Sequence, residues 1–378
     1  MRVALTFPGC HTRGGVERVI YECAHYLQAR GHEVSVFANE WESKCNDGIT
    51  FSYVPMRHQP FFLSGLSYFR RCTAALARSS FDVLNVHGCI CPTGGVHWVH
   101  SVQRAWLERS KSFRPPLSIA RLRQRINPLH PILLRLEREH FWKRKYRKII
   151  ALTESVRSDL RRFYDVPAED VVVIPNGYSP AEFNPERCSE RREEMRLRLG
   201  LKPGDVALLF VAHELDRKGY ATILSALRIL DTQKLRLFVV GRNSASRVMR
   251  EAAKYGVEDQ VVACGPTRDV AGYHAASDVF VLPTQYEAFC LAILEALGSG
   301  LPVVTTRIPG AEDAVQTGRN GFVIEDPKSG EQLAEALKPL LDEDCRFRLS
   351  KNASASVNQY QWNVVLEKYE NVLGSVCN

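Results

Sequence analysis

Glu287-Ala288-Phe289-Cys290-Leu291-Ala292-Ile293-Leu294-Glu295 decides how this chain is read, because it sets two carboxylates eight residues apart where a loop becomes a helix. The apolar run 278–282 before it reads as a buried strand that stops at Pro283, and Gly298-Ser299-Gly300 after it closes a short helix. Glu287 then belongs at the helix start, where free N–H groups and the helix dipole favour an anion. Glu295 follows about two turns later, near the same face. Such a junction suits a nucleotide diphosphate, with amides for phosphate and carboxylates for sugar and ribose hydroxyls. The plainer alternative is one Glu complementing the dipole and one solvated Glu.

Outward from this stretch, the chain of 378 residues suits two domains, and 45% hydrophobic residues are ample for two cores. No run of about 18 apolar residues exists to span a membrane, and the N-terminus reads as a strand rather than a signal peptide, so a cytoplasmic protein is expected. Eleven cysteines are scattered without a C-x-x-C pair, which supports neither a disulfide framework nor a zinc site. Segments 3–7, 32–38, 49–54, 81–87, 96–99, 148–152 and 171–174 read as strands, with helices over 16–30, 66–78 and 154–163. That alternation predicts an α/β fold with a parallel sheet covered on both faces. A linker near 175–185 precedes a second alternating half, with strands at 206–211, 235–240, 260–263, 278–282, 303–306 and 321–324. Three helices follow, from about residues 330, 345 and 361. Neither half carries G-x-G-x-x-G, which argues against a nicotinamide-type site.

Arg217-Lys218-Gly219 follows a strand and opens a helix, and two cations there make a diphosphate site. The competing reading is two solvated charges, on the helix end where the dipole disfavours cations. Gly14-Gly15-Val16-Glu17-Arg18 lies between the first strand and first helix, where glycines admit a ligand close to the backbone, although a tight turn would use them too. His87, His97 and His100 cluster in sequence. No third ligand has metal-site spacing with His97 and His100, which would face opposite sides of a strand.

The two glutamates in their strand–loop–helix setting resemble the E-x7-E motif of the retaining glycosyltransferases of family 4, and the resemblance covers nearly the whole chain. It implies the GT-B fold, with two Rossmann-like parallel-sheet domains facing a cleft. The domains expected are 1–175 for the acceptor, joined by a C-terminal helix 361–378 that crosses back, and 176–360 for the nucleotide sugar. By the same resemblance Glu287 contacts the transferred sugar and Glu295 the ribose. Arg217 and Lys218 match the family's "RKG" segment, which stabilises the departing phosphate, and His213 has a supporting role. Gly14 and Gly15 match the "GGVE" loop near the donor phosphates. His100 matches the histidine that hydrogen-bonds the donor sugar, and His87 the strand end "DVxHxHG", read as structural. Gly265-Pro266-Thr267-Arg268-Asp269-Val270 sits where the family holds the base, with Arg268 as a base or ribose contact. Phe289, Cys290 and Leu291 complete the donor-binding set. Two loops depart from the pattern: Gly241-Arg242-Asn243 lacks the usual G-x-G, and Pro309-Gly310-Ala311-Glu312 lacks the first glycine of "GG-x-x-E". "DRKG" and "GPTRDV" resemble the lipopolysaccharide-core glucosyltransferase branch.

The net charge of +8 is uneven: 104–148 holds 14 Lys and Arg against three Glu, or +11, leaving −3 elsewhere. Apolar residues from Leu117 to Trp142 interleave with these cations, and Pro115, Pro116, Pro128 and Pro131 are expected to break the stretch into short pieces. The mixture favours an anionic bilayer surface, a solvated helical face being the alternative. No nucleic-acid reader motif accompanies the charge. The combined expectation is a retaining glycosyltransferase moving a sugar from a nucleotide diphosphate to a hydroxyl of a cell-envelope glycan or glycolipid. It would work without an essential metal or other cofactor, peripherally at the inner face of the cytoplasmic membrane. Another GT-B enzyme, such as a phosphorylase or sugar-nucleotide epimerase, and a non-catalytic nucleotide-sugar-binding protein are the alternatives.

Overall fold

Runs of branched and aliphatic residues such as Val206–Val211 and Leu235–Val240 form strands buried on both faces, as parallel strands between helix layers must be. The computed structural model describes residues 1–12, 14–42, 48–112, 114 and 117–377; Pro115 and Pro116 lie outside the described residues, as do the side chains of Ala120, Ala311 and Glu312. The chain divides into two units, Met1–Asn176 with Trp362–Asn378, and Gly177–Gln361.

The first unit is built on seven parallel strands. Their order across the sheet is Thr50–Tyr53, Glu33–Ala38, Arg2–Thr6, Val83–His87, Val96–Val99, Lys148–Ala151 and Val171–Val173. The second has six, in the order Val261–Gly265, Leu235–Val240, Val206–Val211, Val279–Leu282, Val303–Thr306 and Gly321–Ile324. Each sheet grows one way from its first strand and then resumes on that strand's other side. Crossovers on either side of this reversal run to opposite faces of the sheet, and ligands of open α/β sheets bind at the carboxyl ends of the two strands there.

The last helix, Trp362–Val376, belongs to the first unit. Trp362, Val365, Leu366, Tyr369, Val372 and Leu373 recur at helical spacing and form its buried face. Its Glu370 accepts from Tyr26 (3.2 Å) and pairs with His32 (2.8 Å).

Two features differ from the sequence reading. Pro185–Arg198 is a helix, capped by the Asn184 side chain with Pro185 in its first turn. Only its Met195 is buried, so it has almost no apolar stripe. Arg192 and Arg196 instead bind the carbonyls of Ala275, Ala276 and Ser277 and the Asp278 carboxylate. In the basic region, Pro128 does precede a helix, Leu129–Glu137, but Pro131 sits within that helix's first turn, where no intrahelical N–H bond is lost.

Glu137 ties this region down. Its buried carboxylate accepts from the amides of Gln103 and Arg104, which open the helix Gln103–Arg109, and from the Tyr164 hydroxyl. Burial outweighs these donors and raises its pKa from 4.5 to about 7. The native state therefore keeps a proton that the unfolded chain has lost. Its contribution is full below pH 4.5 and fades as pH rises through about 7. Unfolding by denaturant across this window should show stability falling by on the order of 3 kcal/mol at most from this group. Glu137→Gln should flatten that part of the profile.

Candidate functional site

At the reversal of the second sheet, Val206–Val211 and Val279–Leu282 are hydrogen-bonded neighbours. The loops that leave them are stitched together. The Gln285 amide donates to the Arg217 carbonyl (2.9 Å) and its side chain to the Asp216 carbonyl (2.8 Å). Gly219 has φ +83°, and a Cβ there would stand 2.1 Å from the Pro283 carbonyl oxygen. Only glycine satisfies both conditions. Gly219 is also the residue before the helix Tyr220–Leu230, which starts without a side-chain cap.

This stitching brings Arg217, Lys218 and Glu287 together. Arg217 reaches Glu287 Oε1 at 2.7 Å, and Lys218 Nζ pairs with the same oxygen. The three side chains are only 13–19% exposed. Arg217 also holds the Tyr286 carbonyl and the Glu214 carboxylate, and the Thr284 hydroxyl lies 3.4 Å from Glu287 Oε1. Burial opposes the charge on Arg217, but Glu287 and Glu214 more than offset it and raise its pKa. The Lys218 pKa is likewise raised against burial, with Glu287 its charged partner at neutral pH. Both remain cations. Arg217 and Lys218 share two carboxylates, Glu287 and the more exposed Glu214, beside an uncapped helix start, and cations that can pass from Glu287 to a ligand can hold a diphosphate and offset charge as a bond to it breaks.

The rest of the expected donor set lies along the same loops or further out. Cys290 is buried, and burial pushes its thiol up to about 11, so it stays protonated at neutral pH. Leu291 begins the helix Leu291–Gly298, with Cys290 as its extended N-cap. A Cβ on Gly310 would stand 2.6 Å from the Phe289 ring, so that loop lies against Phe289. Glu295 is half-buried on the helix, but Glu287 is four residues before the helix begins. Helical periodicity therefore does not relate the two carboxylates, because half of the interval between them is loop. Arg268 is exposed beyond the strand Val261–Gly265. His213 accepts the Arg242 amide at Nδ1 (3.2 Å), and burial with Arg242 and Lys218 lowers its pKa. Gly241 keeps a close approach despite the altered motif, since a Cβ there would meet the Ala212 carbonyl at 1.8 Å.

In the first unit, Gly14 caps the helix Gly15–Ala29 without a side-chain bond. A Cβ on Gly14 would collide with the Glu17 carboxylate, whereas Gly15 faces open space. His100 lies just past the strand Val96–Val99 and bonds His87 at 3.1 Å; burial pushes its pKa down to about 3. His97 points elsewhere, against His140 and Phe141. No group of three or more potential metal ligands occurs among the described residues, and their ten cysteines are free thiols. The sequence reading missed Glu214, Thr284 and Gln285, which hold the loops, and Asn85 and Tyr369, which lie behind His87. Asn85 alone left a signal, two residues from His87 on one strand.

Comparison with known proteins bears on the family and the fold. Residues 13–182 match the family described as Glycosyltransferase Family 4, and residues 191–356 that described as Glycosyl transferases group 1. The chain is 29% identical over 346 residues to the lipopolysaccharide glucosyltransferase WaaG of Escherichia coli (strain K12), with 90% of each chain covered. The crystal structure of WaaG, a glycosyltransferase involved in lipopolysaccharide biosynthesis, superposes with a TM-score of 0.84 at 26% identity. It covers 98% of this chain and 99% of that one. HepE of Anabaena, in complex with UDP-glucose, shares the fold with a TM-score of 0.74 at 17% identity, over 99% of this chain and 100% of that one.

The cation–carboxylate arrangement makes opposite predictions for its two charges. Calorimetric titration with inorganic pyrophosphate should show Lys218→Met binding roughly tenfold more weakly, as one charge-assisted contact is lost. Glu287→Gln should bind it more tightly by a similar factor, because both cations lose their internal partner. Weaker binding by Glu287→Gln would contradict this account.

Proposed function

Because this chain belongs to the family 4 glycosyltransferases, we propose that it moves a sugar, with retention of configuration, from a nucleoside diphosphate to a hydroxyl of a cell-envelope glycan or glycolipid. It is a glycosyltransferase of the GT-B fold. The observation that carries the finer reading is the convergence of Arg217 and Lys218 on Glu287 at the sheet's reversal point. A diphosphate bound there displaces part of the internal ion pair. Arg217, Lys218 and the amides at the starts of the helices Tyr220–Leu230 and Leu291–Gly298 then offset the charge that develops on the leaving phosphate. These cations supply the electrostatic work, and the reading requires no essential metal. Glu287, released from part of its pairing, orients the transferred sugar, and Glu295 serves the ribose. Arg268, exposed past its strand, is assigned to the base or ribose, with Phe289, Cys290 and Leu291 lining the donor. Gly14 and Gly15 offer amides at a helix start, and His100 meets a hydroxyl of the donor sugar.

Saturation-transfer NMR against a panel of nucleotide sugars, followed by transfer assays with the best binder, tests this reading. One donor should bind and turn over, and the new linkage should keep the donor's anomeric configuration. Lys218→Ala should lower kcat by about a hundredfold or more, the size of effect expected when one transition-state charge contact is removed. Binding by no member of the panel, or inversion of the product, would overturn it.

The reading extends to where the acceptor is met. No helix among the described residues is long and apolar enough to cross a membrane. The helix Ile119–Ile126 instead presents Ile119, Leu122 and Ile126, each 59–69% exposed, beside Arg121, Arg123 and Arg125. Trp142 is also 60% exposed, with the Arg138 guanidinium 5.5 Å from its ring centre. An apolar stripe edged by arginines suits an anionic bilayer surface, at about 1 kcal/mol per well-placed cation. We assign this region to peripheral docking at the cytoplasmic face, where a lipid-linked acceptor is presented. The protein should co-sediment with phosphatidylglycerol-containing vesicles at low salt. Replacing Arg121, Arg123 and Arg125 by Glu should abolish that while leaving nucleotide-sugar binding unchanged.

A further inference from the structure

Asn85 and His87 lie two residues apart on the strand Val83–His87, so both point to the same face, and both are fully buried. Buried polar groups persist only with partners, and a single chain of hydrogen bonds accounts for these. Asn85 donates through Nδ2 to the Val96 carbonyl at 3.0 Å. A carbonyl can only accept, so this contact fixes the amide's orientation and turns its oxygen the other way. That oxygen receives the Tyr369 hydroxyl at 2.8 Å and His87 Nε2 at 2.6 Å. An amide oxygen also only accepts, so the His87 proton is on Nε2 and its Nδ1 keeps a lone pair. His87 Nδ1 lies 3.1 Å from His100 Nε2, and the proton in that bond must come from His100.

The remaining nitrogen of His100, Nδ1, has no hydrogen-bond partner among the described residues and is not one of the buried unpaired atoms, so it is open to a ligand. Burial disfavours a charged form of either ring: it lowers His87 well below the ordinary range and, with His100 nearby, keeps it neutral. Tyr369 enters from the helix Trp362–Val376, and the Trp98 ring lies 5.1 Å from the Tyr369 ring and 6.2 Å from the His100 ring, bracing the relay.

We propose that this relay, anchored on the Val96 carbonyl and running through Asn85 and His87, locks His100 in one tautomer whose free nitrogen is a hydrogen-bond acceptor for a hydroxyl of the donor sugar. Asn85, His87 and Tyr369 are then positioning residues. The consequence is specificity of a defined kind: His100 welcomes a hydroxyl, which can donate, and gives no hydrogen bond to a group that only accepts. The last step rests on the proposed function, whereas the tautomer does not.

The test uses two-bond 1H–15N correlation spectra of the full-length protein labelled with 15N-histidine, with the His100 signals assigned by their loss in His100→Gln. In the parent protein His100 should carry its proton on Nε2, with Nδ1 resonating as an unprotonated nitrogen. His87→Leu removes the acceptor, and His100 should then show averaged or Nδ1-protonated signals. His87→Asn puts an amide oxygen close to where Nδ1 was and should restore the Nε2 tautomer. Nδ1 protonation or an even mixture in the parent overturns the relay, as does an unchanged tautomer in His87→Leu. The parent spectrum decides the matter even if His87→Leu fails to fold.

Binding supplies the second readout. His87→Leu should weaken UDP-glucose by roughly fivefold, the size of one lost hydrogen bond, leave UDP unchanged, and be rescued by His87→Asn. Equal weakening of UDP and UDP-glucose would overturn the sugar contact. Failure of the parent to bind any nucleotide sugar, with the Nε2 tautomer present, would count against the proposed function and leave the relay standing.

Discussion

In both units the parallel sheet changes its direction of growth at its first strand, and the meeting of Arg217, Lys218 and Glu287 depends on that constraint. A parallel strand must be followed by a crossover, and crossovers of one hand on either side of the first strand send helices to opposite faces. The loops leaving the two strands at the reversal cannot both turn the same way, so backbone amides and side chains meet there without a core side chain filling the space. Arg217, Lys218 and Glu287 gather at that point in the second unit. In the first unit Gly14 follows one of the two strands and His87 ends the other.

The second unit's site is polarised before any ligand arrives. Glu287 receives two cations on one carboxylate oxygen in a place only partly open to water. Exposed ion pairs contribute little, but one with desolvated partners is specific in geometry and costly to break on one side only. In the proposed function an incoming diphosphate draws the cations from the carboxylate rather than filling bare space. The cations then exchange one anion for another, and Glu287, freed from part of its pairing, is left to meet the sugar hydroxyls. Gly219 and Gln285 hold the geometry by letting two loops touch backbone to backbone.

The first unit's contribution is of another kind. Around Asn85 and His87 its polar side chains form a directional chain of neutral groups, so the information it carries lies in which atom holds each proton. Glu137 shows the electrostatic side of the same economy: three donors converge on one buried carboxylate, and the basic segment is fastened by it to the unit's interior. In the helix Ile119–Ile126 the Gln124 side chain donates to Ser110, while Ile119, Leu122 and Ile126 stay exposed.

Most of this architecture was legible in the chain itself. Short apolar runs alternating with helical periods determined two parallel sheets, because burial on both faces leaves a composition that few other arrangements produce. Local motifs fixed Arg217, Lys218 and Glu287 as candidates, since each sits where a strand ends. The helix Pro185–Arg198 was not legible, because arginine-to-carbonyl bonds hold it and these leave no apolar period. Pro131 misled because its effect depends on its place in the helix's first turn, not on its presence. Which carboxylate meets which cation, and that Tyr369 stands 284 positions from the Asn85 it bonds, are decided only by tertiary structure. Sequence spacing determines direction along one element, whereas a hydrogen bond between elements depends on packing that no local pattern encodes.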